Sequence, residues 1–181
     1  MNINREFFID IAETLVTSVF VLSMIYLFLA FPEVVYGASM EPNFYTGERI
    51  LVEKVTKYFK KFERGEIVVL HPPGNNNVDY IKRIVGIPGD SIKIKDCSVF
   101  ISRDGNKFKL DEPYLGKDIC TSSTGALREG RSEKIGDGLY FVMGDNRISS
   151  ADSRIFGEIK KDRIVGRVVF RFWPLNKISL L

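Results

Sequence analysis

The chain has 181 residues, of which 45% are hydrophobic and 27% are charged. This composition is that of a folded globular protein, and the length suits one core rather than two. The 26 basic and 23 acidic residues give a net charge of only +3 and are interleaved along the chain. Because they form no basic stripe, a nucleic-acid-binding function is disfavoured.

An uncharged segment lies near the N-terminus. Residues 14–31 read TLVTSVFVLSMIYLFLAF and contain no charged side chain. As a helix that rises 1.5 Å per residue, this run spans roughly 27 Å and matches the hydrocarbon core of a bilayer. Pro32 is expected to end the helix. We therefore predict a transmembrane helix over residues 10–31.

Two other interpretations of this segment fit less well. A cleaved signal peptide needs a shorter apolar run and a small-x-small site, whereas Phe28 precedes Ala30 and Tyr36 precedes Ala38 at the candidate positions. A helix that is apolar on every face could be buried only in a larger protein.

The orientation of this helix follows from the few cations that flank it. Arg5 precedes the segment, and the first basic residue after it is Arg49. The positive-inside rule then places residues 1–9 in the cytoplasm. Residues 32–181 are expected to form a domain on the other side of the membrane.

Residues 32–181 show short apolar, β-branched runs separated by glycine and proline, with no helical stretch of useful length. This pattern is typical of β-sheet. The stretch 96–136 is more polar and is predicted to be a variable insertion, in which residues 121–133 form a mobile surface loop. The predicted strands cover residues 49–55, 66–70, 79–85, 91–94, 99–102, 139–143 and 164–172.

The two cysteines, Cys97 and Cys120, both lie in this insertion. Neither has a histidine or another cysteine at the spacing of a zinc site, so we expect no metal and no cofactor. A single disulfide and two free thiols stay equally open, because the sequence does not give the distance between the two residues.

Three polar segments could carry chemistry. In GASMEP at residues 37–42, the small residues before Ser39 leave its backbone accessible, and Pro42 restricts the conformation of the bend that follows it. YIKRIVGIPGD at residues 80–90 places two adjacent cations in an apolar strand, and GDNRISSADSRIFG at residues 144–157 sets acids and arginines among serines. Each segment also has an ordinary interpretation as a solvated turn, a strand whose lysine reaches solvent, or a polar surface loop.

The adjacent cations of the second segment are the most informative feature. Neighbouring strand residues point to opposite faces, so Lys82 and Arg83 face opposite sides of the sheet. If both faces are buried, Arg83 needs a carboxylate because arginine cannot lose its proton. Burial can instead lower the pKa of Lys82 by about three units, which makes its amine a competent general base. The third segment could supply both the carboxylate and a hydroxyl to orient the lysine.

In this order after an apolar helix, the three segments resemble those of the type I signal peptidases, Ser-Lys proteases that remove signal peptides from exported preproteins. RGEIVVL at residues 64–70 also resembles the central strand of that family. The resemblance extends to about Gly157. It implies a mostly β fold of antiparallel sheets with one N-terminal transmembrane helix, anchored in the cell membrane and expected to be a monomer.

The resemblance implies roles for individual residues. Ser39 would be the nucleophile and Lys82 the general base, with Ser150 hydrogen-bonded to the lysine amine. Some members of the family have a serine that donates a hydroxyl to the oxyanion, and Gly37 stands at that place here. The charged scaffold beneath the site would consist of Arg83, Asp145, Asp152 and Arg154.

The resemblance also implies the substrate. Preprotein signal peptides would be cut after small residues, in an Ala-x-Ala pattern, with the lipid bilayer as the second partner. The apolar residues near Ser39 and Lys82 would line the pocket for the small side chains and keep water from the lysine. These residues are Val35, Met40, Phe44, Ile50, Val69, Tyr80 and Ile81.

Three rival functions fit the sequence less well. A related Ser-Lys enzyme on the same β-fold would be either a self-cleaving repressor-type protein or a processing peptidase with a narrow clientele, and the predicted membrane anchor is the feature that discriminates. A self-cleaving regulator would need a DNA-binding domain or its own cleavage segment, and neither is visible. A serine-histidine enzyme is disfavoured because the only histidine, His71, stands before two prolines while Lys82 occupies the base position. An inactive membrane-tethered β-domain would have no reason to place Ser39, Lys82 and Ser150 at the three matching positions.

Overall fold

The structure is a computed structural model that describes residues 3–116 and 119–181. It begins with a 22-residue helix, α1 (Ile3–Met24), which continues as a π-helix (Ile25–Leu29). The part Arg5–Met24 is long and apolar enough to cross a membrane, and none of it is buried against the rest of the protein.

The bounds of this helix differ from the predicted range 10–31. The helix begins at Ile3, because charged residues such as Arg5 and Glu6 are good helix formers and do not interrupt it. Helical winding ends at Leu29 rather than at residue 31. Pro32 does not end the helix but lies within a strand, β1 (Ala30–Val34), at the edge of a sheet where a missing N–H is tolerated.

Eleven further strands and two short α-helices follow along the described chain. They are β2 (Arg49–Glu53), α2 (Val55–Phe59), β3 (Ile67–Leu70), β4 (Tyr80–Gly86), β5 (Ser91–Lys95), β6 (Ser98–Arg103), β7 (Asn106–Lys109), β8 (Ser132–Lys134), β9 (Leu139–Met143), α3 (Ser153–Phe156), β10 (Ile159–Lys160), β11 (Ile164–Trp173) and β12 (Ser179–Leu180). Short 3₁₀ helices cover Lys161–Arg163 and Leu175–Lys177.

The strands form two antiparallel sheets. The eight-stranded sheet has the order β1-β2-β11-β3-β4-β9-β10, with β12 paired to β11, and the four-stranded sheet has the order β7-β6-β5-β8. The mostly β, antiparallel fold predicted from the sequence is therefore confirmed. Each predicted strand is present, with ends that differ by up to two residues; at β2, for example, Val55 begins α2 instead of ending the strand. The short strands β1, β7, β8, β10 and β12 were not predicted.

The polar insertion is more ordered than the sequence suggests. It supplies β6, β7 and β8, and Leu127 from its presumed mobile loop is only 1% exposed, in a core cluster with Ile92 and Phe141. Residues 121–131 of this predicted loop contain no helix or strand, whereas Ser132 and Glu133 belong to β8. The burial of Leu127 was not predicted, because a single apolar residue leaves no periodic pattern. The mobility of the loop stays a prediction. Cys97 and Cys120 form a disulfide with their Cα atoms 4.4 Å apart, which decides between the two alternatives.

A second core cluster fixes the segment between β1 and β2. Met40 and Phe44 are 0% and 1% exposed and pack with Ile50, Val69 and other apolar residues of the large sheet. The Phe44 N–H donates to the Met40 carbonyl at 2.9 Å, which closes a turn directly after Ser39. The serine therefore stands on a segment that is anchored in the core.

Candidate active site

Ser39 lies half-buried beside strand β4, and its main chain is held from two sides. The following residue, Met40, is fully buried in the core. From the other side, the Asn146 N–H donates to the Ser39 carbonyl at 3.0 Å. These two attachments fix the position of the hydroxyl relative to the large sheet.

Lys82 reaches this hydroxyl from strand β4. Its Nζ lies 2.8 Å from Ser39 Oγ and 2.9 Å from the Ile81 carbonyl oxygen, and the residue is only 3% exposed. Burial lowers the pKa of Lys82 to about 8, although the nearby carboxylates of Asp152 and Asp145 partly oppose this shift. A substantial fraction of the amine is thus neutral near physiological pH and able to accept a proton.

Arg83 carries its charge on the other side of the strand, as expected from the alternation. Its side chain is 11% exposed and forms a bidentate pair with Asp145, with Nε to Oδ1 at 2.9 Å and Nη2 to Oδ2 at 2.7 Å. Asn43 also donates to Asp145 Oδ2 at 2.9 Å. The guanidinium further stacks on the Tyr114 ring at 4.0 Å. The carboxylate that Arg83 required is therefore Asp145.

Asp152 and Arg154 form the second buried pair. Arg154 Nε and Nη2 each donate to the Asp152 carboxylate at 2.8 Å, and the Gly144 N–H donates to it at 3.0 Å. These bonds hold the pKa of Asp152 below its usual range despite its burial. Asp152 also caps the N-terminus of α3 through the Arg154 N–H. The pair ties the strand end at Gly144 to the segment that carries Ser150.

The expected hydrogen bond between Ser150 and the Lys82 amine is not formed. Ser150 Oγ is buried and has no hydrogen-bond partner in the part of the chain that the structure describes. It nevertheless lies close enough to Asp152 to help lower the pKa of that carboxylate. Ser150 is therefore beside the dyad, but its orienting role stays a prediction.

Gly144 is a site residue to which the sequence assigned no role. A Cβ at this position would lie 2.2 Å from Ser150 Oγ and 2.4 Å from the Ser39 carbonyl oxygen. Both distances are far below van der Waals contact, so only glycine lets strand β9 end this close to Ser39. The signal in the sequence was a glycine at the end of an apolar strand, which often marks a close approach of two backbones.

Side chains of the polar insertion contact the end of strand β9 near Gly144 and hold it in place. Arg147 is 3% exposed, donates to the Gly144 carbonyl at 3.1 Å, and is held by Glu112 and Thr121. Tyr114 covers Arg83, and burial together with Glu112 raises the pKa of its hydroxyl. Sequence reasoning missed these contacts because the partners lie in a segment with no recognisable motif.

Replacing Gly144 by alanine is expected to lower kcat/KM by about 10² in any reaction in which Ser39 takes part, because a displacement of a reacting group by about 1 Å can cost this much. The added methyl group must push the Ser39 carbonyl or the Ser150 side chain aside. Gly116→Ala is the matched control, since its Cβ would meet only ordinary contacts at 3.5 Å or more. Equal activity of the two variants would contradict the close approach at Gly144.

Two adjoining cavities open beside Ser39 and Lys82. One, of about 260 Å³, is lined by Ser39 and Lys82 together with Gly37, Ala38, Ser149 and Ala151. The other, of about 340 Å³, is lined by Val35, Ile50 and Val69 among others. Four residues line both cavities, so the two form one cleft; they are Tyr36, Asp79, Tyr80 and Ile81.

The predicted pocket residues divide into two groups. Val35, Ile50, Val69, Tyr80 and Ile81 line the cleft. Met40 and Phe44, by contrast, line neither cavity and are fully buried in the core cluster behind it. Their side chains point into the core because this packing anchors the turn that carries Ser39.

The cleft also has an acidic edge that the sequence did not reveal. Glu33 and Asp79 both line the larger cavity. Burial and the neighbouring Asp79 raise the pKa of Glu33. Because Glu33 lies in β1 and Asp79 directly precedes β4, only the fold brings them together.

Gly37 has φ +84°, a left-handed conformation that favours glycine. Its N–H donates to Thr46 Oγ1 at 2.9 Å and is thus already engaged. The position therefore offers neither a side-chain donor nor a free N–H to an oxyanion. The backbone N–H of Ser39 is a second candidate donor at this site.

Comparisons of the sequence with known proteins agree on one family. The family model "Signal peptidase, peptidase S26" matches residues 8–173. Signal peptidase IB of Staphylococcus aureus (strain COL) is 37% identical over 185 aligned residues, which cover 96% of this chain and 92% of that protein. Signal peptidase I of Bacillus licheniformis is 37% identical over 170 residues, covering 92% and 89%. A crystal structure of a signal peptidase I from Enterococcus faecalis V583 aligns with 60% of this chain and 97% of its own, at 27% identity and a TM-score of 0.47.

Proposed function

This chain belongs to the signal peptidase family, peptidase S26, and on that basis we propose that it cuts signal peptides from exported preproteins after small residues, using Ser39 as nucleophile and Lys82 as general base. The observation that carries the mechanism is the 2.8 Å distance between Ser39 Oγ and Lys82 Nζ. It is supported by the burial that lowers the pKa of Lys82.

In the proposed reaction, the neutral Lys82 amine takes the hydroxyl proton as Ser39 Oγ attacks the scissile carbonyl carbon. The Ser39 N–H faces the developing oxyanion. The Lys82 ammonium then gives its proton to the departing amine, which leaves an acyl-enzyme on Ser39. A water molecule attacks this ester with Lys82 again as base, and release of the acid product restores the hydroxyl.

The cleft supports a preference for small apolar side chains before the cut. The walls of its larger cavity are formed by Val35, Ile50, Val69 and Ile81, of which Ile81 also lines the cavity beside Ser39 and Lys82. These walls would receive alanine side chains of an extended signal peptide. The cleavage of a preprotein with an Ala-x-Ala site by the purified full chain tests the function. We expect a cut directly after the second alanine, and loss of that cut when this alanine is replaced by phenylalanine.

We also propose that α1 anchors the enzyme in the cell membrane, with the N-terminus in the cytoplasm and the β-domain outside. The length and apolar surface of Arg5–Met24 support the anchor. The disulfide between Cys97 and Cys120 supports the orientation, since such bonds persist in oxidising compartments. The proposed partners are thus a bilayer and preproteins, bound by a single copy of the chain.

The rate of cleavage is expected to rise with pH. Only the neutral amine of Lys82 accepts a proton, and its pKa is about 8. Below this pKa, kcat/KM should therefore increase about tenfold for each pH unit, and it should level off above it. A profile measured from about pH 6 to pH 10 checks this; a flat profile would contradict a lysine base.

A further inference from the structure

The disulfide between Cys97 and Cys120 lies at one end of a series of contacts that leads to Ser39. It joins two residues that are 23 positions apart in the chain. We propose that this disulfide positions the active site through Thr121 and Arg147, so that the enzyme reaches its full rate only while the bond is oxidised. This inference rests on the proposed cleavage function.

The first end of the series is a rigid part of the smaller sheet. Asp96 and Cys97 form the two-residue turn of the β5–β6 hairpin, and their φ angles of +50° and +59° are those of a type I′ turn. The Thr121 N–H donates to the Cys97 carbonyl at 3.2 Å. Thr121 is only 1% exposed, although it directly follows the exposed Cys120. The disulfide therefore holds Thr121 against the end of the smaller sheet.

Arg147 connects Thr121 to the main chain around the nucleophile. Its Nη1 donates to Thr121 Oγ1, and its Nε donates to the Gly144 carbonyl at 3.1 Å. A Cβ at Gly144 would lie 2.4 Å from the Ser39 carbonyl oxygen, and the Asn146 N–H donates to that oxygen at 3.0 Å. Because these groups are closely packed, a displacement of Thr121 is passed on to the segment that holds Ser39.

The loop that the disulfide closes contacts the site at a second place. Glu112 forms an ion pair with Arg147. The Tyr114 carbonyl accepts from Asn43 Nδ2 at 2.7 Å, in the turn that follows Ser39. Residues 110–116 contain no helix or strand, so sheet pairing does not hold them. A cross-link that closes such a segment into a loop restricts the positions that it can take.

These contacts act on the nucleophile and not on the bound substrate. Residues 97–116 and 119–121 line neither cavity of the cleft. Loss of the disulfide should therefore lower kcat and leave KM unchanged.

A soluble dithiol can reach the bond, since both cysteines are exposed. Two electrons and two protons pass from the dithiol to the cysteines, the S–S bond breaks to give two thiols, and the dithiol becomes a cyclic disulfide. The reverse exchange with a disulfide oxidant restores the bond. In the proposed orientation the bond forms only after the β-domain reaches an oxidising compartment, so the full rate is confined to that side of the membrane.

The experiment compares the full chain in detergent micelles before and after reduction with dithiothreitol. We expect kcat for a preprotein with an Ala-x-Ala site to fall at least about tenfold, because a displacement of a reacting group by about 1 Å can cost about 10². KM should stay the same, and reoxidation with oxidised dithiothreitol should restore kcat. The unfolding temperature of the reduced chain should stay above the assay temperature.

Two kinds of variant make this result specific. Cys97→Ser with Cys120→Ser should have the kcat of the reduced chain and should not respond to dithiothreitol, because the chain has only these two cysteines. Thr121→Val removes the hydroxyl that accepts from Arg147 and keeps the disulfide. Its kcat should already be lowered when oxidised and should change less than about threefold on reduction, since the two changes affect the same route. Thr124→Val, at an exposed position, should behave like the parent.

The outcomes separate this inference from the proposed function. Equal kcat of the oxidised and reduced chains would overturn the positioning role alone. A reduced chain that is unfolded at the assay temperature would also overturn it, because the bond would then stabilise the whole fold. An oxidised chain that does not cut the preprotein would overturn the proposed function and the inference with it.

Discussion

Replacement of Lys82 by methionine is expected to lower kcat/KM for preprotein cleavage by at least about 10⁴. Methionine has a similar length, and its apolar side chain suits a site that is only 3% exposed, so the fold should be retained. The variant loses the group that accepts the Ser39 proton, and removal of one member of such a unit costs roughly as much as removal of the whole unit. The cleavage rate and the thermal unfolding temperature should be measured on the same preparation.

Two comparisons make this result specific. Lys95→Met replaces an exposed lysine of strand β5 and should keep full activity. Ser39→Ala should lose as much activity as Lys82→Met, and the double variant should lose no more than either, because the two side chains act as one unit. Activity of Lys82→Met within tenfold of the parent would show that another group takes the proton.

The Lys82-Arg83 pair shows how much of the site could be predicted from sequence. Strand alternation placed the two cations on opposite sides, and the fixed charge of arginine required a carboxylate in the third polar segment. Asp145 is found in that role. The prediction succeeded because the periodicity of a strand and the chemistry of a guanidinium are both local properties.

Contacts between distant segments could not be predicted in the same way. The approach of Gly144 to Ser39, the disulfide and the support of Arg147 by Glu112 all depend on distances that the fold sets. The apolar residues near Ser39 show the same limit. The apolar side chain of Met40 predicts that the residue is buried. It does not predict whether a buried side chain lines a cleft or packs in the core behind the cleft.

Substitution of Asp145 by asparagine is expected to destabilise the folded protein by about 3–5 kcal/mol, because it leaves the Arg83 guanidinium without its counter-charge. Asp145 accepts from Arg83 twice and from Asn43 once, with its side chain fully buried. An amide there would turn one of its acceptors into a donor that faces other donors. The unfolding temperature should fall on the order of 10 °C, whereas Asp137→Asn, at an exposed position, should leave it unchanged.

The same substitution should also move the pH dependence of the enzyme, which a purely structural role would not do. Asp145 raises the pKa of Lys82 through its negative charge. Its loss favours the neutral amine, so the acid limb of the kcat/KM profile should shift to lower pH.

A double variant, Asp145→Leu with Arg83→Met, removes both charges and should be more stable than either single variant. Additive losses of stability would instead mean that the two side chains stabilise the fold independently. An acid limb that does not shift in Asp145→Asn would mean that the charge of Asp145 does not affect the pKa of Lys82.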